Sequence, residues 1–266
     1  MKIEVGYQTG FFYLVGKFNA LSNTSRHERL IALEKFLSFI WTTLTYIIYP
    51  PLCPVCKEIV EERGELCQSC REKIYRLDAE NFLQGILRGI FIITKYKEGT
   101  RDILRKMKFE KDLSVLPTIK KILDAVSNNA ELNKFIAQAD VATCVPLHQE
   151  RFKERSFNQT ERIFADFLRE KNLPIEDLLQ RHRSTPRLFK YNPAERQKIL
   201  QGAFSIVEGA NIQGKKILLV DDIYTTGATV TECAKVLKSC GATEIFVLAF
   251  ASNNDLQSVF QSTVRN

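Results

Sequence analysis

The sequence predicts an α/β fold in which a parallel β-sheet is flanked by helices and preceded by a small cysteine-bearing module. Three observations lead there. Lys216–Val220 (KILLV) and Ile245–Phe250 (IFVLAF) are runs typical of buried strands, and the helical stretch Gly227–Lys238 lies between them. Strand, loop, helix and strand in about 35 residues make a βαβ unit, which requires parallel strands and a right-handed crossover. Upstream, apolar strand-like runs alternate with amphipathic segments. Finally, four of the seven cysteines fall within one short segment, Cys53 to Cys70.

Bulk properties set the frame. The chain has 266 residues, enough for one medium domain with appendages, and its 45% hydrophobic and 26% charged content is that of a globular protein. The net charge of +7 suits an anionic partner: phosphates, nucleic acid or an acidic membrane face. It does not choose among them. An odd cysteine count with four clustered thiols argues against a secreted disulfide framework. Met1–Ala20 holds one short apolar run, Phe11–Val15, between Glu4 and Lys17, without the pattern of a signal peptide.

Residues 1–29 read as a poorly ordered extension, and residues 30–80 as a helix followed by the cysteine module. Leu33, Phe36, Leu37, Ile40, Trp41, Leu44 and Ile47 have helical spacing, and Pro50-Pro51 ends the helix. Its apolar stretch, Phe36–Tyr49, is shorter than the roughly 20 residues that cross a bilayer. It therefore reads as a packing helix, with no stable membrane insertion. Cys53-Pro-Val-Cys56 and Cys67-Gln-Ser-Cys70 are two CxxC pairs, a spacing that places four thiolates around Zn²⁺. Four cysteines leave no open coordination position, so the role expected is structural or docking.

Residues 85–252 form the main expected domain, followed by a tail, residues 253–266. Ile90–Tyr96 reads as a strand, Thr100–Met107 and Leu113–Val126 as helices, and Asp140–Val145 as a strand ending at Pro146. Phe157–Glu170 is an amphipathic helix presenting Ile163, Phe164, Phe167 and Leu168. Leu178–Arg181 reads as a short strand and Ala194–Leu200 as a short helix. Gly241 marks the end of the last helix.

The most informative segment is Val220-Asp221-Asp222-Ile223-Tyr224-Thr225-Thr226-Gly227-Ala228-Thr229. A buried strand delivers two carboxylates to its carboxyl end, where parallel α/β sheets bind ligands. A helix start offers unpaired N–H groups and the positive end of the dipole to a phosphate. Gly227 lets the backbone approach closely, and Thr225, Thr226 and Thr229 add hydroxyl donors. Asp221 and Asp222 would repel a phosphate but accept hydrogen bonds from a neutral diol or hold a metal ion. A sugar phosphate satisfies both halves. Acidic and Thr residues near a helix start are also ordinary caps, although the whole string is more specific than that. Neither GxxxxGK[ST] nor GxGxxG occurs in the sequence.

The string resembles the PRPP-binding motif of type I phosphoribosyltransferases. The wider order resembles the ComF family, also called competence protein F or amidophosphoribosyltransferase-like proteins. The cysteine module comes first, then Tyr96…Leu104-Arg105-Lys106-Met107-Lys108-Phe109. Val145-Pro146-Leu147 and Arg151…Arg155-Ser156-Phe157-Asn158-Gln159 follow, and then the PRPP loop. The resemblance spans roughly residues 36–252. It implies a type I phosphoribosyltransferase-like sheet with an N-terminal zinc-ribbon-like module. It further implies that Asp221 and Asp222, the candidate catalytic pair, hold the ribose 2′ and 3′ hydroxyls. Thr225, Thr226, Gly227, Ala228 and Thr229 would cradle the 5′-phosphate, with Mg²⁺ riding on the diphosphate. Val145-Pro146-Leu147 resembles the diphosphate-facing loop, and Arg155 stands among the bases beside it with Arg151 and Lys153. Ser156 replaces the family's usual glycine; Leu188 and Ile199 replace a usual Gln and Asn.

Two further basic clusters are open to either reading, solvated surface or anion contact: Arg181, His182, Arg183, Arg187 and Lys190, and Lys106 with Lys108 before Phe109. Cys144, Cys233 and Cys240 read as small core residues. Three functions remain open on the sequence. One is a cytoplasmic PRPP- or ribose-5-phosphate-binding protein, by resemblance serving DNA uptake in competence alongside single-stranded DNA and a competence helicase. The others are an active phosphoribosyltransferase of nucleobase or amine salvage, and a non-enzymatic single-stranded nucleic-acid-binding or regulatory module.

Overall fold

A computed structural model describes residues 26–81, 85–186 and 188–253. The expected N-terminal extension therefore lies outside the described residues up to residue 25, and the expected tail does so from residue 254 onward. The chain divides into two compact units, residues 1–51 and 52–266.

In the first unit, helix α1 spans Arg26–Ile48. It starts earlier than the sequence suggests, within the stretch expected to be poorly ordered. Leu30–Ile48 is 19 residues long with a mean hydropathy of 1.4, and none of it is buried. By length and composition it is apolar enough to cross a membrane, because the apolar run continues N-terminally past Glu34 and Lys35. Leu37, Trp41 and Ile47 are more than half exposed.

In the second unit, the cysteine module leads through α2 (Gln68–Ile74) directly into β1 (Tyr75–Asn81). β1 lies antiparallel on β2 (Gly89–Lys95) at the edge of the main sheet. Its charged alternation (YRLDAEN) is what an edge strand tolerates. The five strands run in the order β1-β2-β7-β6-β3, with β3 at Val141–Cys144, β6 at Lys216–Tyr224 and β7 at Glu244–Ser252. All pairs other than β1–β2 are parallel.

The side-chain alternation of β2 fixes both faces. Phe91 and Ile93 join one core with Leu218, Val220, Phe246 and Leu248. Helices α4 (Leu116–Val126) and α7 (Gln159–Glu170) cover that core through Ile119, Ile122, Ile163 and Phe164. Ile90 and Ile92 face the opposite core with Ile217, Leu219, Ile245 and Val247. Helix α9 (Ala228–Ser239) covers it through Val230, Cys233 and Leu237. Each fully buried aliphatic or aromatic side chain contributes about 1.5–3 kcal/mol, so this two-sided burial is the main stabilising term.

Between β2 and β3 come α3 (Glu98–Arg105), a wide π-helical turn (Lys106–Glu110), α4 and α5 (Ala130–Ile136). Helix α6 (Gln149–Arg155) follows β3. A two-stranded sheet of β4 (Leu179–Arg181) and β5 (Phe204–Ile206) stands apart, with α8 (Pro193–Leu200) between its strands. The chain leaves β3 towards α7 on one face and leaves β6 towards α9 on the other. Adjacent parallel strands whose connections diverge in this way open a crevice at their carboxyl ends.

Candidate functional site

Asp221 and Asp222 lie at that crevice. β6 is longer than its apolar run and carries both acids within regular pairing, Asp221 opposite Ala249. Asp222 is 8% exposed, and its N–H donates to Asp221 Oδ1 over 2.8 Å. Burial, and then the neighbouring Asp222 charge, push the Asp221 carboxyl up to about 8. Two adjacent acids in a poorly solvated place resist sharing two negative charges. A cation answers that repulsion: Lys108 Nζ lies 2.6 Å from Asp222 Oδ2.

After Tyr224 the chain turns through Thr225, Thr226 and Gly227 into α9. Gly227 holds φ +75° at the N-cap, and no side chain caps the helix. A Cβ at this position would come within 2.5 Å of the Tyr224 hydroxyl, so glycine is required both by backbone and by space. The uncapped helix start and its dipole present a positive end beside the acids. Ala228 and Thr229 form the first turn, and Thr225 is exposed, with its Oγ1 accepting from Arg196 Nη1 at 3.3 Å. Arg196 stands where the resembled family has the Arg of Arg-x-x-Asn, three residues before Ile199; its contact with Thr225 itself was not legible in the sequence.

Lys108, Phe109, Lys111, Arg151, Arg155 and Leu188 line a cleft of about 290 Å³ together with Glu154. Arg155, picked out in the sequence, lies on this wall. Its Nη1 donates to Gln159 Oε1 at 2.7 Å, and its guanidinium sits 5.9 Å from the Phe109 ring centroid. Lys108 therefore links the cationic cleft to Asp222. Ser156, at the end of α6, adopts φ +69°, the left-handed conformation that glycine takes without strain. Asn158 caps α7 and donates through Nδ2 to Val145 O at 3.2 Å, tying the loop after β3 to the same edge. Within the second basic cluster, Arg187 lies outside the described residues, Arg183 donates to Ile199 O, and Arg181 is buried.

The four clustered cysteines converge. Their Sγ atoms all lie within 4.8 Å of one another, and Cys56 and Cys67 approach to 3.5 Å. A tetrahedral zinc–thiolate centre with bonds of about 2.3 Å sets its sulfurs about 3.8 Å apart, so the donor set fits Zn²⁺. A tight turn closed by Lys57 N–H to Cys53 O carries the first pair. The start of α2 carries the second, placing Cys67 and Cys70 one helical turn apart on one side. Burial opposes ionisation of Cys53, but backbone N–H groups of Cys56, Cys67 and Val55 outweigh it and bring that thiol down to about 7. Cys53, Val60, Leu66 and Cys67 belong to the same core as Phe91 and Leu104. Gly99 of α3 lies so close to Val55 that any side chain there would overlap the Val55 methyls. The centre is thus built into the domain's packing. Cys144 and Cys233 are buried, as expected, whereas Cys240 is exposed.

Comparison with known proteins bears on both the cysteine module and the sheet domain. Residues 44–81 match the Double zinc ribbon domain family and residues 185–263 the Phosphoribosyl transferase domain family. "Competence protein ComFC" of Streptococcus pneumoniae is 29% identical over 199 residues, 73% of this chain and 84% of its own length. "Competence protein F" of Haemophilus influenzae is 24% identical over 203 residues, 76% of this chain and 84% of its own. Among solved structures, the glutamine phosphoribosylpyrophosphate amidotransferase of B. subtilis aligns with a TM-score of 0.34 and 22% identity, covering 55% of this chain and 30% of that one. The chain is thus similar to ComF-type competence proteins over about three quarters of its length, and joins a zinc-ribbon module to a phosphoribosyltransferase-type α/β domain.

Proposed function

We propose that the crevice at the carboxyl ends of β6 and β3 binds a ribose 5-phosphate group, and that PRPP is its natural form. The observation that carries the reading is the continuity of β6 into α9. Two adjacent acids, Asp222 buried and Asp221 half-buried, lead through Ile223–Thr226 to an uncapped helix start. Asp221 and Asp222 would accept from the ribose 2′ and 3′ hydroxyls. The backbone from Thr225 to Thr229 would take the 5′-phosphate, with the Thr hydroxyls adding donors. Arg155, Lys108 and Lys111 would face the diphosphate, and Arg forks suit its oxygens. Mg²⁺, when bound with the diphosphate, would neutralise part of its charge. The zinc centre would hold the N-terminal module folded against the sheet.

In a transfer reaction these residues would orient C1 and stabilise charge. The bond from C1 to the diphosphate breaks with its electron pair leaving on the diphosphate. The acceptor's lone pair forms the new bond to C1, and the acceptor proton passes to solvent. The names of the homologues support a place in DNA uptake during competence. A cytoplasmic setting suits four thiolates and a diphosphate ligand.

A second reading follows from the cationic cleft. Phe109 is 56% exposed beside Lys108, Lys111, Arg151 and Arg155, a combination that suits single-stranded nucleic acid and, through it, a competence helicase. Its affinity would fall steeply with salt.

The test of the first reading is a competition among fragments. Ribose 5-phosphate should raise the melting temperature at concentrations where ribose and inorganic phosphate, alone or mixed, do not. Equal effects of phosphate and ribose 5-phosphate would remove the sugar half of the assignment.

A further inference from the structure

Lys108 belongs to both halves of the crevice. Its Nζ lies 2.6 Å from Asp222 Oδ2, in a largely shielded place. The same lysine lines the cationic cleft with Lys111, Arg151 and Arg155, where Glu154 is the one acid among the described residues on the wall. The backbone accounts for this double position. Met107 is fully buried and Phe109 is exposed, so the residue between them sits at the boundary of core and solvent. The turn Lys106–Glu110 is π-helical and closes on Lys111 in the left-handed region, at φ +53°. Single π-helical turns are frequent at functional sites. A lysine also carries its charge on a flexible four-carbon stem. Its Nζ can therefore move between a carboxylate and an anion in the cleft while the backbone stays in place.

The contact competes with a bound diol. The ammonium takes up Asp222 Oδ2, and Asp221 Oδ1 already accepts from the Asp222 N–H at 2.8 Å. Withdrawing the ammonium alone would leave a buried carboxylate beside a second acid, which is strongly unfavourable. Two events together avoid that cost. An anion in the cleft attracts the ammonium, and the ribose hydroxyls donate to the carboxylate it leaves. Each event favours the other.

We propose that Lys108 is a specificity residue: it latches Asp222 until an anion occupies the cleft, so the crevice favours a sugar phosphate carrying a diphosphate over a sugar phosphate alone. The proposal rests on the ribose-phosphate reading of the crevice. It goes further in making the two halves of the ligand cooperate through one side chain, and such coupling is reciprocal.

The test titrates the zinc-loaded full chain with 1-deoxyribose 5-phosphate and with inorganic diphosphate, each alone and each in the presence of the other. This sugar lacks the C1 hydroxyl and so leaves room for the diphosphate. Mg²⁺ is omitted, so that no bridging cation joins the two ligands. Without a latch, two anions bound side by side should oppose each other. With it, saturating diphosphate should tighten sugar phosphate binding about tenfold, and the sugar phosphate should tighten diphosphate binding by the same factor. Arg155→Met removes a cleft cation but not the latch; it should weaken diphosphate binding and keep the cooperation. Lys108→Met should abolish the cooperation. Lys108→Met/Asp222→Asn should do the same, and it serves where the single variant does not fold. Independent or antagonistic binding by the wild type would overturn the proposal, as would cooperation that survives in the Lys108 variants or a wild type that binds no diphosphate. If the wild type binds diphosphate but no sugar phosphate, the ribose reading fails. The latch is then decided by the stability coupling of Lys108 and Asp222. Saturating diphosphate should erase that coupling, and a coupling that persists would overturn the latch as well.

Discussion

Lys108 Nζ lies 2.6 Å from Asp222 Oδ2, and both side chains are largely shielded, 17% and 12% exposed. Through this pair the acidic end of β6 meets the cationic cleft. Lys108→Met should destabilise the protein by about 3 kcal/mol, because it leaves the Asp222 carboxylate buried without its cation. The double variant Lys108→Met/Asp222→Asn should recover much of the loss, a coupling of about 1–3 kcal/mol in a double-mutant cycle. Denaturant unfolding measures all four corners, and additive losses would show the pair to be uncoupled.

Asp221 should give the protein a distinctive pH dependence. Its carboxyl is raised to about 8 in the folded protein, far above an unfolded Asp. The folded state therefore holds a proton that the unfolded state gives up. The resulting stabilisation is complete below about pH 4 and is lost as pH rises towards 8. Melting temperatures at pH 5, 6, 7 and 8 should fall more steeply for the wild type than for Asp221→Asn. Parallel curves would mean that Asp221 titrates normally.

Ser156→Gly should stabilise the fold by about 1 kcal/mol, since a left-handed backbone strains any side chain with a Cβ. Ser156 is exposed and its side chain fills no core space, so little packing is lost. Thermal unfolding should shift upward by a few degrees. A downward shift would mean that the serine makes a compensating contact.

Removing the metal should be felt far from the cysteines. Cys53 and Cys67 share a core with Phe91 and Leu104. Chelation, or Cys70→Ser, should lower the melting temperature of the whole unit by about 5 °C or more. Fluorescence or circular dichroism would record it. Loss confined to the module, with the sheet melting as before, would contradict this integration.

The sheet was legible where strands are buried on both faces. Lys216–Val220 and Ile245–Phe250 have no polar interruption, and four of the five main strands parallel one another accordingly. β1 was not legible, because an edge strand with Arg76, Asp78 and Glu80 lacks the apolar signature. The acids, the α9 start and the four cysteines were readable because their chemistry is local in sequence. Lys108 could not be placed as an Asp222 partner. In the sequence it is open to either solvated surface or anion contact, and the π-helical turn Lys106–Glu110 changes the direction in which it points. Arg181 looked like one of several loop bases; only the β4–β5 pairing over Phe204 buries it. The apolar reach of α1 was underestimated, since Glu34 and Lys35 hide the continuation to Leu30.

The central claim is that Asp221, Asp222 and the start of α9 form one site for PRPP. Isothermal titration of the zinc-loaded protein with PRPP and Mg²⁺, beside Asp221→Asn/Asp222→Asn, tests it most directly. Saturable binding by the wild type that weakens at least tenfold in the double variant, with the variant still folded, is the predicted result. Binding that ignores the substitution, or no binding by the wild type, would contradict it.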